Sequence, residues 1–393
     1  MQNIDADDNR TSFLEFDRRA RAGDDLSVVF FGGSLTWGAN STDPQLNSYR
    51  PRLAGRLQAA YPDAHWTFWD AAIGGTGSQL GVFRLERDVL SRNPDLVFLD
   101  FTVNDDLFSV DDERLASYEA IVRTLIDAGI LVVLVFFPNK DAARLPSPEP
   151  VLRRTAHLKV AEAYGAGVGD VVAFFQHKIQ TGAASADVLW SDPNDSTHPT
   201  DAGYALYAEA VWSGLLDAIS KERLCKSPGR MLYANTYMHS ARTRLTSIVR
   251  GASGWRSERP NRISAYYDML MSRWLDGELV ASRADVDSPD PASLSFKFHG
   301  SMALLFAEST PTSGHYLVIL DGARSREIYD AGAIGRPSRG NAHHVQILAQ
   351  GLDPAIEHSL TLVPELQPGE ELRFESICVA GGASPKVTFT PAR

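Results

Sequence analysis

A chain of 393 residues, 44% hydrophobic and 22% charged, is long and apolar enough for two ordinary cores, which excludes a disordered or low-complexity protein. Its net charge of −11, with no local basic patch, excludes a general affinity for nucleic acid or for anionic membrane. The acidic N-terminus lacks the apolar run of a secretory signal, no stretch reaches the roughly 18 apolar residues of a membrane span, and Cys225 and Cys378 alone make no disulfide framework, so a cytoplasmic location is expected.

Residues 1–24 carry few apolar positions and read as an arm or a short helix. The run Val28-Val29-Phe30-Phe31 then predicts a buried strand over 26–31 that stops at Gly32-Gly33. Beyond it the pattern predicts a helix over 47–61, a strand over 65–72, a helix over 78–91 and a strand over 95–103. A helix over 112–128, a strand over Ile130–Phe137, a helix over 149–164, a short strand around Val168–Val172 and a helix from Pro199 to Ser220 follow. Strands alternating with helices at this spacing imply crossover connections and a parallel sheet, and their nearly continuous apolar runs imply burial on both faces.

After Lys221 the pattern changes. Short alternating stretches such as Leu294–Phe298, Tyr316–Leu320, Val345–Leu348, Ser359–Val363 and Glu371–Val379, punctuated by Gly, Pro and Asp, read as an antiparallel β-sandwich or jelly roll. The expected organisation is an arm (1–24), an α/β domain (25–224) and a β-sandwich (225–393). The break falls best at Lys226-Ser227-Pro228-Gly229, and residues 229–275 could join either domain.

In an open α/β sheet, ligands bind beyond the carboxyl ends of the strands, so the residues there carry the functional reading. Ser34 follows the first strand, the glycine-rich turn Ile73-Gly74-Gly75-Thr76 the second, and Asn104 the third, while Asp195 and His198 precede the last helix. Each has a plain structural alternative: Ser34 and Asp195 as helix caps, Gly75 as a turn glycine, Asn104 as an Asx-turn, His198 as a residue at a helix start. Together they supply what acyl transfer needs. Ser34 can be the nucleophile, His198 its base and Asp195 the partner of the second ring nitrogen. The backbone N–H groups of Ser34 and Gly75 (or Gly74) and the Asn104 amide can be the donors of an oxyanion hole. Trp37 and Asn40 could line the cleft, and Asp105, Asp106, Asp111 and Asp112 read as a solvated rim.

Rival motifs are incomplete. Gly32-x-Ser34-x-Thr36 lacks the second glycine of a G-x-S-x-G elbow, Asp192-x-Asn194 lacks the glycine and glutamate of a calcium loop, and no P-loop or dinucleotide fingerprint is present. On a strand His343 and His344 would point to opposite faces, and the two cysteines read as buried fillers. No metal or cofactor is expected.

Four segments resemble, in order, the blocks of the SGNH hydrolases, also called GDSL-type esterases: Gly32-Gly33-Ser34-Leu35, Ile73-Gly74-Gly75, Val103-Asn104-Asp105 and Asp195-Ser196-Thr197-His198. The resemblance covers roughly residues 26–220. It implies a three-layer, doubly wound, flavodoxin-like sheet, with Ser34, His198 and Asp195 as catalytic triad and Ser34, Gly75 and Asn104 as oxyanion hole. Two departures stand out: the family's usual Asp before the serine is Gly33, and its usual Gly two before the asparagine is Thr102. With a β-sandwich appended, the resemblance implies an esterase that removes a small acyl group, acetyl first, from an oligosaccharide or other small ester. The rivals are a lipase-like or thioesterase activity on longer chains and a carbohydrate-binding protein without turnover. The sandwich could bind sugar, shape the cleft or join two copies into a homo-oligomer.

Overall fold

The computed structural model describes residues 11–262, 275–324, 328–332 and 343–391, so the first ten residues of the expected arm lie outside the described residues. Two compact units divide between Ala234 and Asn235.

The first unit is built on a parallel sheet of β1 (Asp25–Gly32), β2 (His65–Ala72), β3 (Leu96–Asp100), β4 (Leu131–Val135) and β5 (Gly167–Gly169). Their spatial order is β2-β1-β3-β4-β5, the doubly wound flavodoxin-like order expected from the sequence. Strands β3 and β4 are buried at every position, as their uninterrupted apolar runs require. The edge strand β2 is buried only at Ala71 and Ala72, because it has a neighbour on one side alone. The direction of winding reverses at β1, so the loops after β1 and β3 border the crevice in which such sheets bind ligands.

Residues 11–24, read from the sequence as an arm or a short helix, hold a helix over Phe13–Ala22 that Ser12 caps at its start and Gly23, at φ 84°, at its end. Phe13, Phe16 and Ala20 are buried, which makes the helix part of the core. At the other end, the expected break at 226–229 lies within the first unit. The Leu232 and Tyr233 backbone N–H groups donate to the Glu119 carboxylate (2.7 and 2.8 Å), which fastens this stretch to the α/β unit. The strand expected around Val168–Val172 ends at Gly169, because the Asp170 side chain accepts from the Ala173 N–H and starts a helix over Val171–Gln180.

The second unit contains two antiparallel sheets among the described residues. One runs in the order His343–Ala349, Met302–Glu308, Glu371–Ala380, Glu278–Ser282, Trp255–Glu258, and Ser240–Arg244 also pairs with Glu371–Ala380. The other runs Ala323–Arg324, His315–Leu320, His358–Glu365, Leu294–His299, Lys386–Thr390, with Tyr329–Asp330 also on His315–Leu320. Phe296, Phe298, Leu305, Tyr316, Leu360, Leu362, Phe374 and Ile377 from both sheets share one core, the arrangement of a β-sandwich. His344 bonds the Tyr316 hydroxyl through Nε2 (2.8 Å), and both cysteines are buried and free.

Beneath the β1 end of the first unit lies Arg84, 1% exposed. It donates to the carbonyls of Ala71 (2.6 Å) and Gly32 (2.8 Å) and pairs with Asp88 (3.0 Å). Arg84→Met should destabilise the chain by about 3 kcal/mol, the low end for breaking a buried pair, because Arg87 still pairs with Asp88. Urea unfolding checks this, and a change below about 1 kcal/mol would mean that the two carbonyls find other donors.

Candidate active site

Ser34 opens a single helical turn over Ser34–Trp37, directly after β1. Gly38, at φ 100°, ends the turn in the left-handed region, and a β-carbon there would lie 2.3 Å from Ser48 Cβ. The carbonyls of that turn are capped from within the protein. Arg50 donates through Nε to Thr36 O (2.6 Å) and through Nη2 to Trp37 O (2.8 Å), while Asp70 lies 3.0 Å from its guanidinium. The serine is therefore carried on a short, rigid platform.

His198 approaches from the loop before the Asp201–Ser220 helix. Its Nε2 lies 2.7 Å from Ser34 Oγ and its Nδ1 lies 2.7 Å from Asp195 Oδ2. An ionised carboxylate only accepts, so Nδ1 carries the proton and Nε2 is left to accept from the serine hydroxyl. The other oxygen of Asp195 accepts from the backbone N–H groups of Thr197 (2.9 Å) and His198 (3.0 Å), which folds the loop around its own carboxylate. Burial opposes ionisation of Asp195, but the bonds from the His198 ring and from these two N–H groups outweigh it and bring its pKa down to about 2. Lys140 N–H to Ser196 O (2.8 Å) and Trp190 Nε1 to Thr197 O (3.2 Å) pin the loop from outside.

The glycine turn lies alongside: Ile73 N–H donates to Gly32 O (3.1 Å), and a β-carbon built on Gly33 would stand 3.4 Å from Thr76 O. The same β-carbon would stand 2.3 Å from Asn104 Oδ1. Glycine at 33, where the family that the segments resemble usually has Asp, thus leaves room for the Asn104 carboxamide against the backbone just before Ser34. Among the described residues, neither that amide nor the Ser34 and Gly75 backbone N–H groups are committed to an acceptor. Gly75, at φ 74°, takes a conformation that favours glycine. A serine with an imidazole at its hydroxyl and three free donors grouped about it is equipped to attack a carbonyl and stabilise the oxyanion that forms.

Residues 30–206 match the model of the GDSL-like Lipase/Acylhydrolase family. The match falls within the first unit and spans less than half of the chain. Two solved structures of a two-domain esterase (CEX) active on acetylated mannans are similar to the chain along nearly its whole length. The one co-crystallised with mannopentaose is 21% identical, with a TM-score of 0.74 over 95% of this chain and 98% of that chain. The second is also 21% identical, with a TM-score of 0.73 over 94% and 95%. At this identity the likeness carries the fold, an α/β unit followed by a β-rich one. Among curated proteins none matches the chain.

The first unit corrects the reading of the acidic run as a solvated rim. Asp105 is no part of a solvated rim: it is 1% exposed and accepts from the Ser78 N–H (2.9 Å), capping the helix that follows the glycine turn. Burial raises its pKa to about 6. Asp111 is half-buried and caps its own helix while pairing with the buried Arg153 (3.1 Å); Asp106 and Asp112 remain exposed. Asn40, expected to line the cleft, is exposed and donates to the His198 carbonyl (3.2 Å). Trp37 is half-buried on the turn that Ser34 opens. No helix among the described residues is long and apolar enough to cross a membrane, and no group of three or more potential metal ligands occurs among them.

Sequence reasoning missed Asp100, a buried acid at the end of β3 that accepts from Thr36 Oγ1 and the Thr102 N–H, both at 3.3 Å. Burial raises its pKa to about 8 against the pull of those two bonds. In an unfolded chain it ionises near pH 4, so between about pH 4 and 8 the native state holds a proton that the unfolded state has released. Stability then falls as pH rises across that window. Asp100→Asn, whose carbonyl can accept from the Thr102 N–H while its amide donates to Thr36 Oγ1, should become progressively more stable relative to the parent from about pH 4 to about pH 8. Urea unfolding at a series of pH values checks this; a difference independent of pH would contradict it.

Proposed function

We propose that the chain is a serine esterase that removes acetyl groups from acetylated oligosaccharides, with Ser34 as nucleophile. The observation that carries this reading is the hydrogen-bonded relay Ser34–His198–Asp195, with both links at 2.7 Å, at the carboxyl edge of the sheet. Ser34 Oγ attacks the ester carbonyl while His198 Nε2 takes its proton. The negative charge that develops on the carbonyl oxygen falls to the Ser34 and Gly75 N–H groups and the Asn104 amide. When the tetrahedral intermediate collapses, the sugar oxygen leaves with the proton from His198, and the acetyl group stays on Ser34. A water deprotonated by His198 then attacks the acyl-enzyme, and acetate is released as Ser34 recovers its proton. Asp195, held ionised by its three donors, keeps the imidazole in the required tautomer and stabilises the imidazolium.

The acetylated oligosaccharide is favoured by the likeness to a two-domain esterase described as active on acetylated mannans, which extends over both units of this chain. Acetylated manno-oligosaccharides are therefore the first substrates to offer. Acetate release should be measurable from them, and on model esters the rate should fall as the acyl chain lengthens. A rise toward long chains would favour a lipase-like acyl hydrolase, and binding of the acetylated sugar without turnover a carbohydrate-binding protein.

Ser34→Ala should lower kcat by about 10³-fold or more while the chain stays folded; activity near that of the parent would remove Ser34 from the mechanism. Gly33→Ala tests the oxyanion hole from the other side. Its methyl group would stand 2.3 Å from Asn104 Oδ1 and must displace the carboxamide. The kcat of Gly33→Ala should approach that of Asn104→Ala, about 10²-fold below the parent, with little change in KM. Unaltered kcat in either variant would exclude Asn104 as a donor.

A further inference from the structure

Ser34 and His198 are 164 residues apart in the chain, and their 2.7 Å contact requires two separately anchored loops to stay in register. Arg50 anchors the nucleophile turn, and Asp195, Lys140 and Trp190 anchor the base loop, but none of these bonds joins one to the other. Four other bonds do, just downstream of both residues. Asn40 Nδ2 donates to His198 O (3.2 Å), and the Thr42 N–H donates to Asp201 Oδ1 (2.9 Å). Thr42 Oγ1 donates to Asp201 Oδ2 (2.5 Å), and the Tyr204 hydroxyl donates to Ala39 O (2.7 Å). Asn47 Nδ2 donates to Thr42 Oγ1 (2.9 Å), which fixes the direction of that hydroxyl: it accepts from Asn47 and gives its own proton to Asp201. Asn40 has a φ of 68°, in the left-handed region that asparagine tolerates better than most side chains, so the backbone itself is bent where the amide reaches His198.

We propose that Asn40, Thr42 and Asp201 form a clasp that sets the distance between nucleophile and base, and that they are positioning residues for ester hydrolysis. The proposal rests on Ser34 and His198 being that nucleophile and base. No side-chain bond runs from any of the three to the Ser34 hydroxyl or the His198 ring; they act through the His198 backbone and through the chain on either side. Proton transfer needs heavy atoms within about 3.2 Å, and a displacement of about 1 Å costs about 10²-fold in rate, so slack in the clasp reaches the chemistry directly. A purely structural role is the competing account, because Asp201 also stands in the first turn of the last helix, where a carboxylate is stabilising whatever it contacts. Variants at Asn40 and Thr42 separate the two, since they leave that carboxylate in place.

The full chain is assayed on p-nitrophenyl acetate as Asn40→Gly, Thr42→Val and Thr42→Ser, with Ser34→Ala as control and thermal unfolding in parallel. Glycine keeps the positive φ at position 40 and removes only the amide, valine removes the hydroxyl, and serine retains it. Asn40→Gly and Thr42→Val should each lower kcat by about 10- to 100-fold with KM within about twofold and an unfolding midpoint close to the parent's, while Thr42→Ser recovers most of the activity. The clasp is overturned if both variants keep kcat within about twofold of the parent, or if kcat falls only as the folded fraction does. A Ser34→Ala variant as active as the parent is a separate outcome: it removes the nucleophile on which the proposal rests, and the proposal with it.

Discussion

The α/β unit is organised around one hydrogen bond between residues that the chain holds far apart. A parallel sheet makes the contact between Ser34 and His198 possible, because every strand ends at the same edge and sends its loop to the same crevice. Strand β1 delivers the serine, β3 the asparagine, and the connection before the last helix the imidazole. Topology brings them near one another but does not set distances to a few tenths of an ångström. That is done by polar contacts whose members are mostly backbone groups on one side and long or charged side chains on the other.

Those contacts form a polar foundation under the turn that carries Ser34. Arg50 with Asp70, Arg84 with Asp88, and the buried Asp100 lie where a sheet would ordinarily be packed with hydrocarbon. A turn that breaks a strand and starts a helix leaves several carbonyls and N–H groups without regular partners, and a buried group left unpaired is costly. Arg50 and Arg84 supply donors to four such carbonyls. The charge they bring is balanced by carboxylates, so the polar cluster follows from the sharpness of the turn.

The strands of the first unit were legible because both their faces are buried and their sequences have little freedom to be anything but apolar. The Ser, Gly, Asn and Asp-x-x-His segments were legible because the chemistry of each is distinctive and each follows an identifiable strand or precedes a helix. Burial of charge was not. Asp105 reads in sequence like a solvated carboxylate and Asp100 as one more position of a strand, and only the fold reveals that Asp105 caps a helix and that Asp100 is buried against Thr36 of the turn that carries Ser34. That the helix over Phe13–Ala22 belongs to the core was obscured by its arginines, which face solvent or pair with neighbouring carboxylates while Phe13 and Phe16 face inward. Asp170 overrode the β-branched pair Val171-Val172 through a single capping bond. The reach of Asn40 to His198 spans 158 residues, and no local pattern encodes it.

The close approach of Gly33 to Asn104 also bears on what this turn tolerates. A β-carbon introduced at position 33 would stand 2.3 Å from the carboxamide oxygen, so a substitution there is felt first at a side chain delivered by a different strand, and the local choice of glycine is set by a neighbour 71 positions away in the sequence.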